Sequence, residues 1–262
     1  MDLQRITDPA DPRVADYLDL RGGRPNGVGP VIVEGLLAVA ELTTSPFPFR
    51  SVLVTPQKLA RLPPLPEVTP VYVADLDVQR ATVGFDLHRG VVASAERIAP
   101  SAAADVVRGA SRVLVCERVN DLENLGSLFR NARAFGVDAV LLDPETTDPL
   151  GRRIVRVSMG HVLNIPFARL PDWPAALRDV VAAAGLEVVA LTPGGEPLSA
   201  LARGGRVAFL VGAEGPGLTG GALAHAHRAV RIPMAAGVDS VNVATAAAIA
   251  LSAHFGHSAA DT

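Results

Sequence analysis

Short apolar runs alternate with amphipathic stretches along nearly all of this 262-residue chain, and this alternation is what most constrains its fold. The runs at 112–116 and 206–211 have the character of buried strands, whereas the stretch at 122–135 has helical spacing of its apolar residues. Strands that alternate with helices favour an α/β class, because parallel strands need crossover connections that helices supply. We therefore expect an α/β protein with mostly parallel sheets.

The length of the chain favours two domains. A hydrophobic content of 49% is enough for a sizeable core, and domains of roughly 100–150 residues are the usual scale. Residues 1–105 are predicted to form a small α/β domain, and residues 106–262 a second domain whose parallel sheet is covered on both faces. The Ala-rich stretch at 101–109 is interpreted as a linker.

Composition excludes several classes of protein. The N-terminus lacks a basic region followed by an apolar stretch, and the longest apolar run, 241–251, is too short for a membrane span, so we expect a soluble, cytoplasmic protein without a membrane partner. The single cysteine, Cys116, excludes an intramolecular disulfide, and its apolar neighbours predict a buried strand position. His225 and His227 lie two residues apart, which does not place them on one helix face, and no metal site is predicted.

Charge alone does not identify a partner. The formal net charge of −3 gives no general attraction to a phosphate backbone. Arginines are concentrated at 130–156, in part within a predicted loop, and their planar guanidinium groups suit bidentate phosphate contacts, although such a cluster can equally be a solvated face.

Three segments carry the strongest chemical signals. In the first, Asn124 and Arg130 interrupt the predicted helix 122–135, which Asp121 would cap and Gly136 would end; Arg130 could also be an ordinary surface arginine. In the second, the loop 212–218 places three glycines directly after a buried strand, at a spacing that does not fit a dinucleotide-binding fingerprint.

The third segment, 231–251, leads into an Ala-rich helix. We expect that helix to start at Ser240, with the Ser240 hydroxyl capping its free N–H groups and Asn242 offering both donors and an acceptor. On this segment alone, a capped core helix without a ligand is an equally good interpretation.

Together the three segments resemble the SPOUT superfamily of RNA methyltransferases, in its TrmH/SpoU branch of ribose 2′-O-methyltransferases. Their order and spacing match the three motifs of that branch. The matching residues are Asn124, Gly126 and Arg130 in the first motif, Gly212, Glu214, Gly215, Gly217 and Leu218 in the second, and Ile232, Pro233, Met234, Ser240 and Asn242 in the third.

The resemblance implies a C-terminal SPOUT domain with a deep trefoil knot and a parallel sheet, preceded by a small substrate-binding domain like ribosomal protein L30e. It implies S-adenosylmethionine as cofactor, a homodimer, and tRNA or rRNA as substrate. The implied cofactor-binding residues are Leu191, Thr192, Val211, Gly212, Glu214, Gly215, Ile232, Met234, Ser240, Val241 and Asn242. The implied catalytic residues are Arg130, Asn124, Asn242, Glu214 and Ser240.

For the family, the arginine of the first motif is proposed to activate the ribose hydroxyl. Because a guanidinium stays protonated in nearly every protein environment, we assign Arg130 an electrostatic role beside the RNA phosphate and the developing alkoxide. The chain departs from many relatives at Ala244, where they carry serine. Two other hypotheses remain: an inactive RNA-binding or ribosome-associated protein of the same fold, and a nucleotide-binding enzyme of different chemistry.

Overall fold

The computed structural model describes residues 2–22, 27–87 and 90–255, which group into two compact units. The first unit comprises Met1–Ala99 and Asp148–Asn164, and the second comprises Pro100–Thr147 and Ile165–Thr262. Residues 148–164, which the sequence assigned to the second domain, therefore cluster with the first unit.

The first unit is built on a mixed five-stranded sheet in the order β1-β4-β3-β5-β2. Strand β5 runs antiparallel to both β2 and β3, so the expectation of mostly parallel pairing is only partly met here. The elements of this unit are β1 (Asp2–Ile6), β2 (Val31–Glu34), α1 (Leu36–Thr43), β3 (Phe49–Val54), α2 (Pro56–Leu59), β4 (Pro70–Ala74), α3 (Leu76–Val83) and β5 (Val91–Ala95).

The sequence did not predict β1. This strand lies at the edge of the sheet, paired only with β4 among the described strands, and only Ile6 of its five residues is buried. An edge strand with a mostly exposed surface needs no apolar run, and so it leaves little signal in the sequence.

The predicted arginine-bearing loop contains a helix, α6 (Arg152–Val157). Two helices that belong to the second unit come before it in the chain, α4 (Ala103–Val106) and α5 (Leu122–Ala134). The Arg152 guanidinium forms an ion pair with the buried Glu34 carboxylate and lies 4.6 Å from the centroid of the Phe85 ring. Arg152 thus serves the packing of the first unit, and the interpretation of this segment as a plain loop is wrong.

The second unit contains a six-stranded sheet in the order β11-β9-β10-β6-β7-β8, and every neighbouring pair in it is parallel. The predicted parallel sheet is confirmed for this unit. Besides α4 and α5, its elements are β6 (Arg112–Glu117), β7 (Ala139–Leu142), β8 (Phe167–Arg169), α7 (Ala175–Ala183), β9 (Glu187–Pro197), β10 (Val207–Gly212), α8 (Gly220–Leu223), β11 (Arg228–Arg231) and α9 (Val243–Phe255).

Helix α5 has the ends that the sequence predicts. The Asp121 carboxylate accepts a hydrogen bond from the Asn124 N–H at 2.8 Å, and Gly136 takes a positive φ of 65° just beyond the last turn. Its buried face consists of Leu125, Leu128, Phe129 and Ala132, all fully buried.

Cys116 is also fully buried, as predicted, and burial raises the pKa of its thiol. An uncharged thiol in an apolar strand has the character of a packing residue. Among the described residues, no helix has the length and apolar character needed to cross a bilayer.

Helix α5 offers a matched test of this packing, because Leu122 on its first turn is 37% exposed whereas Leu128 is fully buried. We expect Leu128→Ala to lower the free energy of unfolding by about 2–5 kcal/mol, since it leaves a cavity in the core. Leu122→Ala should cost no more than about 1 kcal/mol. Urea denaturation followed by circular dichroism measures both, and equal losses would contradict the described burial.

Candidate functional site

A cavity of about 510 Å³ opens in the second unit beside the middle of β9 and the carboxyl ends of β10 and β11. Ligands of open parallel sheets bind at this edge, and the volume lies within the usual range for small-molecule sites of about 300–1,000 Å³. The cavity is lined by Leu191, Thr192 and Pro193 of β9, directly after the residues of that strand that pair with β10. It is also lined by residues 211–218 at the end of β10, and by Val230, Arg231, Ile232, Met234, residues 239–243 and Ala246 around β11 and the start of α9.

The glycine loop after β10 folds back closely on the end of its own strand. The Gly217 N–H donates to the Ala213 carbonyl at 3.1 Å, and Gly215 and Gly217 take positive φ values of 86° and 67°. A Cβ placed on Gly212 would lie 2.6 Å from the Gly217 carbonyl carbon and 2.6 Å from the Leu218 nitrogen. Glycine is therefore required at 212 by close backbone approach, which is one of the roles that the sequence left open.

Asn242 uses its whole side chain to join three segments. Its Oδ1 accepts hydrogen bonds from the N–H groups of Ala244 at 2.9 Å and Thr245 at 3.2 Å. Its Nδ2 donates to the Asn124 Oδ1 and the Glu214 Oε1, both at 2.7 Å. The second and third predicted motifs thus meet the first at one amide group.

These contacts correct the predicted start of the terminal helix. Helix α9 begins at Val243, and Asn242, not Ser240, occupies the capping position. Ser240 lies before the helix and lines the cavity. An asparagine oxygen that accepts from the N–H groups two and three residues later is a typical N-cap. Serine is also a common capping residue, so the sequence pattern fitted both Ser240 and Asn242.

Helix α5 contributes a second contact to the start of α9. The Asn131 Nδ2 donates to the Ala244 carbonyl at 2.8 Å. Asn131 follows Asn124 by seven residues, close to two helical turns, which places both amides on one face of α5. Asn131 was not among the site residues predicted from the sequence, although its spacing from Asn124 was a usable signal.

Arg130 is not part of this arrangement. It follows Asn124 by six residues and so lies about 240° further around the helix axis. Its side chain is exposed, it forms no ion pair with the described part of the chain, and it is absent from the cavity lining. Of the five predicted catalytic residues, the structure brings together Asn124, Glu214 and Asn242 by hydrogen bonds and Ser240 by the shared cavity.

All eleven residues that the resemblance assigns to the cofactor line the 510 Å³ cavity. The lining also includes Arg231 and Asp239, which the sequence analysis did not select. Arg231 donates to the Gly195 carbonyl on β9.

A buried carboxylate holds the far end of the glycine loop, and sequence reasoning missed it. Glu117, at the end of β6, is 1% exposed. Its oxygens accept from the Thr219 N–H at 2.8 Å, the Thr219 hydroxyl at 2.7 Å and the Trp173 indole N–H at 2.8 Å. A glutamate that directly follows the apolar run 113–116 was the available signal.

A second hollow of about 310 Å³ adjoins the cavity. Ala213, Glu214, Pro216 and Val243 line both spaces, so the Glu214 carboxylate stands in a shared wall. The remaining lining residues of the second hollow are Arg118, Val119, Asn120, Asp121 and Asn124.

The 510 Å³ cavity suits a zwitterionic ligand with a flat apolar part. Leu191, Val211 and Ile232 supply apolar walls, and the Gly212–Gly217 backbone supplies hydrogen-bonding groups at close range. The Glu214 and Asp239 carboxylates could face a cationic group and the Arg231 guanidinium an anionic one. Among the described residues, no group of His, Cys, Asp and Glu side chains could hold a metal ion.

Comparison with known proteins agrees with this chemistry. A model of the SpoU rRNA Methylase family matches residues 111–252, more than half of the chain. The chain belongs to this family. It is therefore a TrmH/SpoU member of the SPOUT methyltransferases, and the cofactor of the family is S-adenosylmethionine.

The proteins that resemble this SpoU family member include several RNA methyltransferases. An uncharacterized tRNA/rRNA methyltransferase of Mycobacterium tuberculosis is 46% identical over 95% of this chain and 91% of that protein. The 23S rRNA (guanosine-2′-O-)-methyltransferase RlmB of Bordetella pertussis is 30% identical over 63% of this chain and 69% of that protein. The AdoMet-bound rRNA methyltransferase of Sinorhizobium meliloti, a crystal structure, is 28% identical with a TM-score of 0.78 over 95% and 96% of the two chains.

The glycine loop yields a direct test of the cofactor cavity. We expect Gly212→Ala to raise the Kd for S-adenosylmethionine at least about tenfold, because the new Cβ would displace the Gly217 backbone. Gly220→Ala is the matched control, since a Cβ there meets nothing within 4 Å. Isothermal titration calorimetry measures both, and equal affinities for the two variants would show that the loop does not shape the binding site.

Proposed function

We propose that this SpoU family member transfers a methyl group from S-adenosylmethionine to the 2′-hydroxyl of a ribose in tRNA or rRNA. The observation that carries the proposal is the amide junction of Asn242 with Asn124 and Glu214, which stands between the 510 Å³ cavity and the second hollow. Methyl transfer needs two adjacent spaces, one for the donor and one for the acceptor, with polar groups between them. The names of RlmB and of the RlmP protein of Bacillus subtilis, a 23S rRNA (guanosine(2553)-2′-O)-methyltransferase, support the ribose as acceptor.

When bound, S-adenosylmethionine supplies an electrophilic methyl group carried on a sulfonium. The Glu214 carboxylate is placed to take the proton of the ribose hydroxyl as the ribose oxygen forms its bond to the methyl carbon and the carbon–sulfur bond breaks. Asn242 donates to the Glu214 Oε1 and so orients the carboxylate, which leaves the second oxygen to accept the proton. Asn124 fixes Asn242 in turn.

We assign Arg130 to the acceptor side, supplied by a second copy of the chain. Its exposure and its absence from the cavity lining support a role across a homodimer interface, where its guanidinium would bind an RNA phosphate and stabilise the developing alkoxide. We also propose that residues 106–262 form a SPOUT domain with a deep trefoil knot, and that residues 1–105 form an L30e-like substrate-binding domain.

The rival function is an RNA-binding or ribosome-associated protein without turnover. The cavity, lined by all eleven residues that the resemblance assigns to the cofactor, favours an enzyme, as does Glu214 in the wall that this cavity shares with the second hollow. Incubation with methyl-labelled S-adenosylmethionine and total RNA separates the two, since only the enzyme labels RNA. Mass spectrometry of nucleosides from cells with and without the gene then identifies the methylated nucleotide and shows whether its ribose carries the methyl group.

Replacement of the proposed proton acceptor should separate chemistry from binding. We expect Glu214→Gln to lower kcat about 100-fold or more, because glutamine keeps an oxygen for the Asn242 hydrogen bond but accepts no proton at neutral pH. The Kd for S-adenosylmethionine should rise by less than about tenfold, because Asp239 still offers the cavity a carboxylate for the cationic group. A kcat close to that of the wild type would move the proton acceptor to another residue.

Arg130→Ala should lower methyl transfer about 100-fold while leaving cofactor affinity nearly unchanged. Arg178→Ala, which removes an exposed arginine of α7, is the control and should retain wild-type activity. A parallel loss of cofactor binding in Arg130→Ala would indicate a structural role instead.

Mixing the Arg130→Ala and Glu214→Gln variants tests the dimer. If Arg130 acts in the site of its partner, mixed dimers regain one complete site and part of the activity returns. If both residues act within one chain, every site in the mixture lacks one of them and the activity stays lost.

A further inference from the structure

The second hollow has one cationic side chain among its lining residues, Arg118. Arg118 directly follows β6, and the register of β6 and β10 pairs Glu117 with Gly212. Glu117 is thus one strand spacing, about 4.8 Å, from Gly212 at the start of the glycine loop, and Arg118 is the next residue along the chain. An arginine at this position is next to the wall that both spaces share.

The backbone holds Arg118 in an unusual conformation. Its φ is +58°, in the left-handed region that non-glycine residues rarely adopt. The Arg118 N–H donates to the Asp143 Oδ1 at 3.0 Å, and the same oxygen accepts from the Thr146 N–H at 2.8 Å. Asp143 is buried, and its carboxylate thereby fixes the strained backbone turn at Arg118. Strain of this kind persists only where neighbouring contacts fix the conformation, and it is concentrated at active sites and ligand contacts.

Asn124 provides a second, independent observation. It is 7% exposed, lines the second hollow, and uses its Oδ1 to accept from Asn242. Its Nδ2 carries two donors that find no acceptor within the described residues. The Nδ2 is not among the fully buried, unpaired side-chain atoms of the described residues, so it is open to the hollow, where an acceptor oxygen of water or of a ligand can take its hydrogen bonds.

We propose that the second hollow binds one nucleotide of the RNA, with Arg118 holding the phosphate beside the target ribose and Asn124 donating to an oxygen of the same nucleotide. This inference rests on the proposed function. The two carboxylates that line the hollow determine how the nucleotide is oriented. Asp121 is occupied as the cap of α5, and Glu214 repels a phosphate. The phosphate is therefore held at Arg118, and the ribose hydroxyl lies on the Glu214 side.

In the absence of RNA, the Glu145 carboxylate forms the ion pair with Arg118 that the phosphate would form. The Arg118 Nε lies 3.3 Å from the Glu145 Oε2, and the two side chains are 40% and 66% exposed. An ion pair with this exposure is weak and exchanges readily with another anion. RNA binding replaces a carboxylate by a phosphate, and so Glu145 competes with the substrate.

Binding of a fluorescent RNA substrate at several KCl concentrations tests the proposal without turnover. We expect Arg118→Ala to raise the Kd for RNA about tenfold and to reduce the slope of log Kd against log [KCl] by about one, because one phosphate contact is lost. The Kd for S-adenosylmethionine should remain within about twofold. Alanine keeps a Cβ, so the left-handed conformation costs the variant no more than it costs arginine.

Three further variants complete the design. Arg118→Lys retains the charge and should keep the wild-type salt slope. Glu145→Gln removes the competing anion and should tighten RNA binding about twofold to fivefold while Arg118 stays in place. Arg108→Ala is the matched control, because Arg108 is an exposed arginine paired with Asp105 before the opposite end of β6, and both its Kd and its slope should equal those of the wild type.

The outcomes distinguish the inference from the proposed function. A wild type that methylates RNA together with an Arg118→Ala variant of unchanged Kd and slope overturns the inference and leaves the function standing. An Arg118-dependent slope in a protein that transfers no methyl group overturns the function and supports the hollow as an RNA site. If Arg118→Ala does not fold, Arg118→Lys and Glu145→Gln decide, and wild-type RNA binding in Glu145→Gln counts against the proposal.

Discussion

The side-chain amide of Asn242 is the interaction on which the site depends. An asparagine can donate two hydrogen bonds and accept two, and Asn242 makes all four, to Asn124, Glu214, Ala244 and Thr245. This saturation fixes the orientation of the amide, since a flipped group would turn donors toward the N–H groups of α9. One residue thereby ends the loop after β11, starts α9 and holds the wall of the cavity.

The parallel sheet of the second unit makes that junction possible. Its strands all end at the same edge, so segments that are far apart in sequence meet there without long connections across the core. The close approach is visible at Gly195 on β9, where a Cβ would lie 2.4 Å from the Val230 nitrogen of β11, beside a shift in register. Like Gly212, Gly195 lets two backbones meet where a side chain would separate them.

The sequence predicted most of the features that depend on where the strands of the sheet lie. It predicted few of the features that depend on single side-chain contacts. Apolar runs located the strands, and the eleven residues assigned to the cofactor line one cavity because they lie in or directly after three neighbouring strands of one parallel sheet. The start of α9 was misplaced by three residues because Ser240 and Asn242 both fit a cap, and only the loop geometry selects one. Strand β1 and the role of Arg152 were missed because both depend on partners distant in sequence.

The shared wall gives the two spaces different chemical roles. On the side of the glycine loop the walls combine apolar side chains with backbone groups, which suits the flat apolar part of S-adenosylmethionine. On the side of α5, the Arg118 guanidinium and the Asn124 amide line the second hollow, next to the Glu214 carboxylate. Asn242 holds one oxygen of Glu214 and leaves the other available, so the carboxylate is oriented without being neutralised. The proton transfer that we propose for Glu214 needs this combination of fixed position and free oxygen.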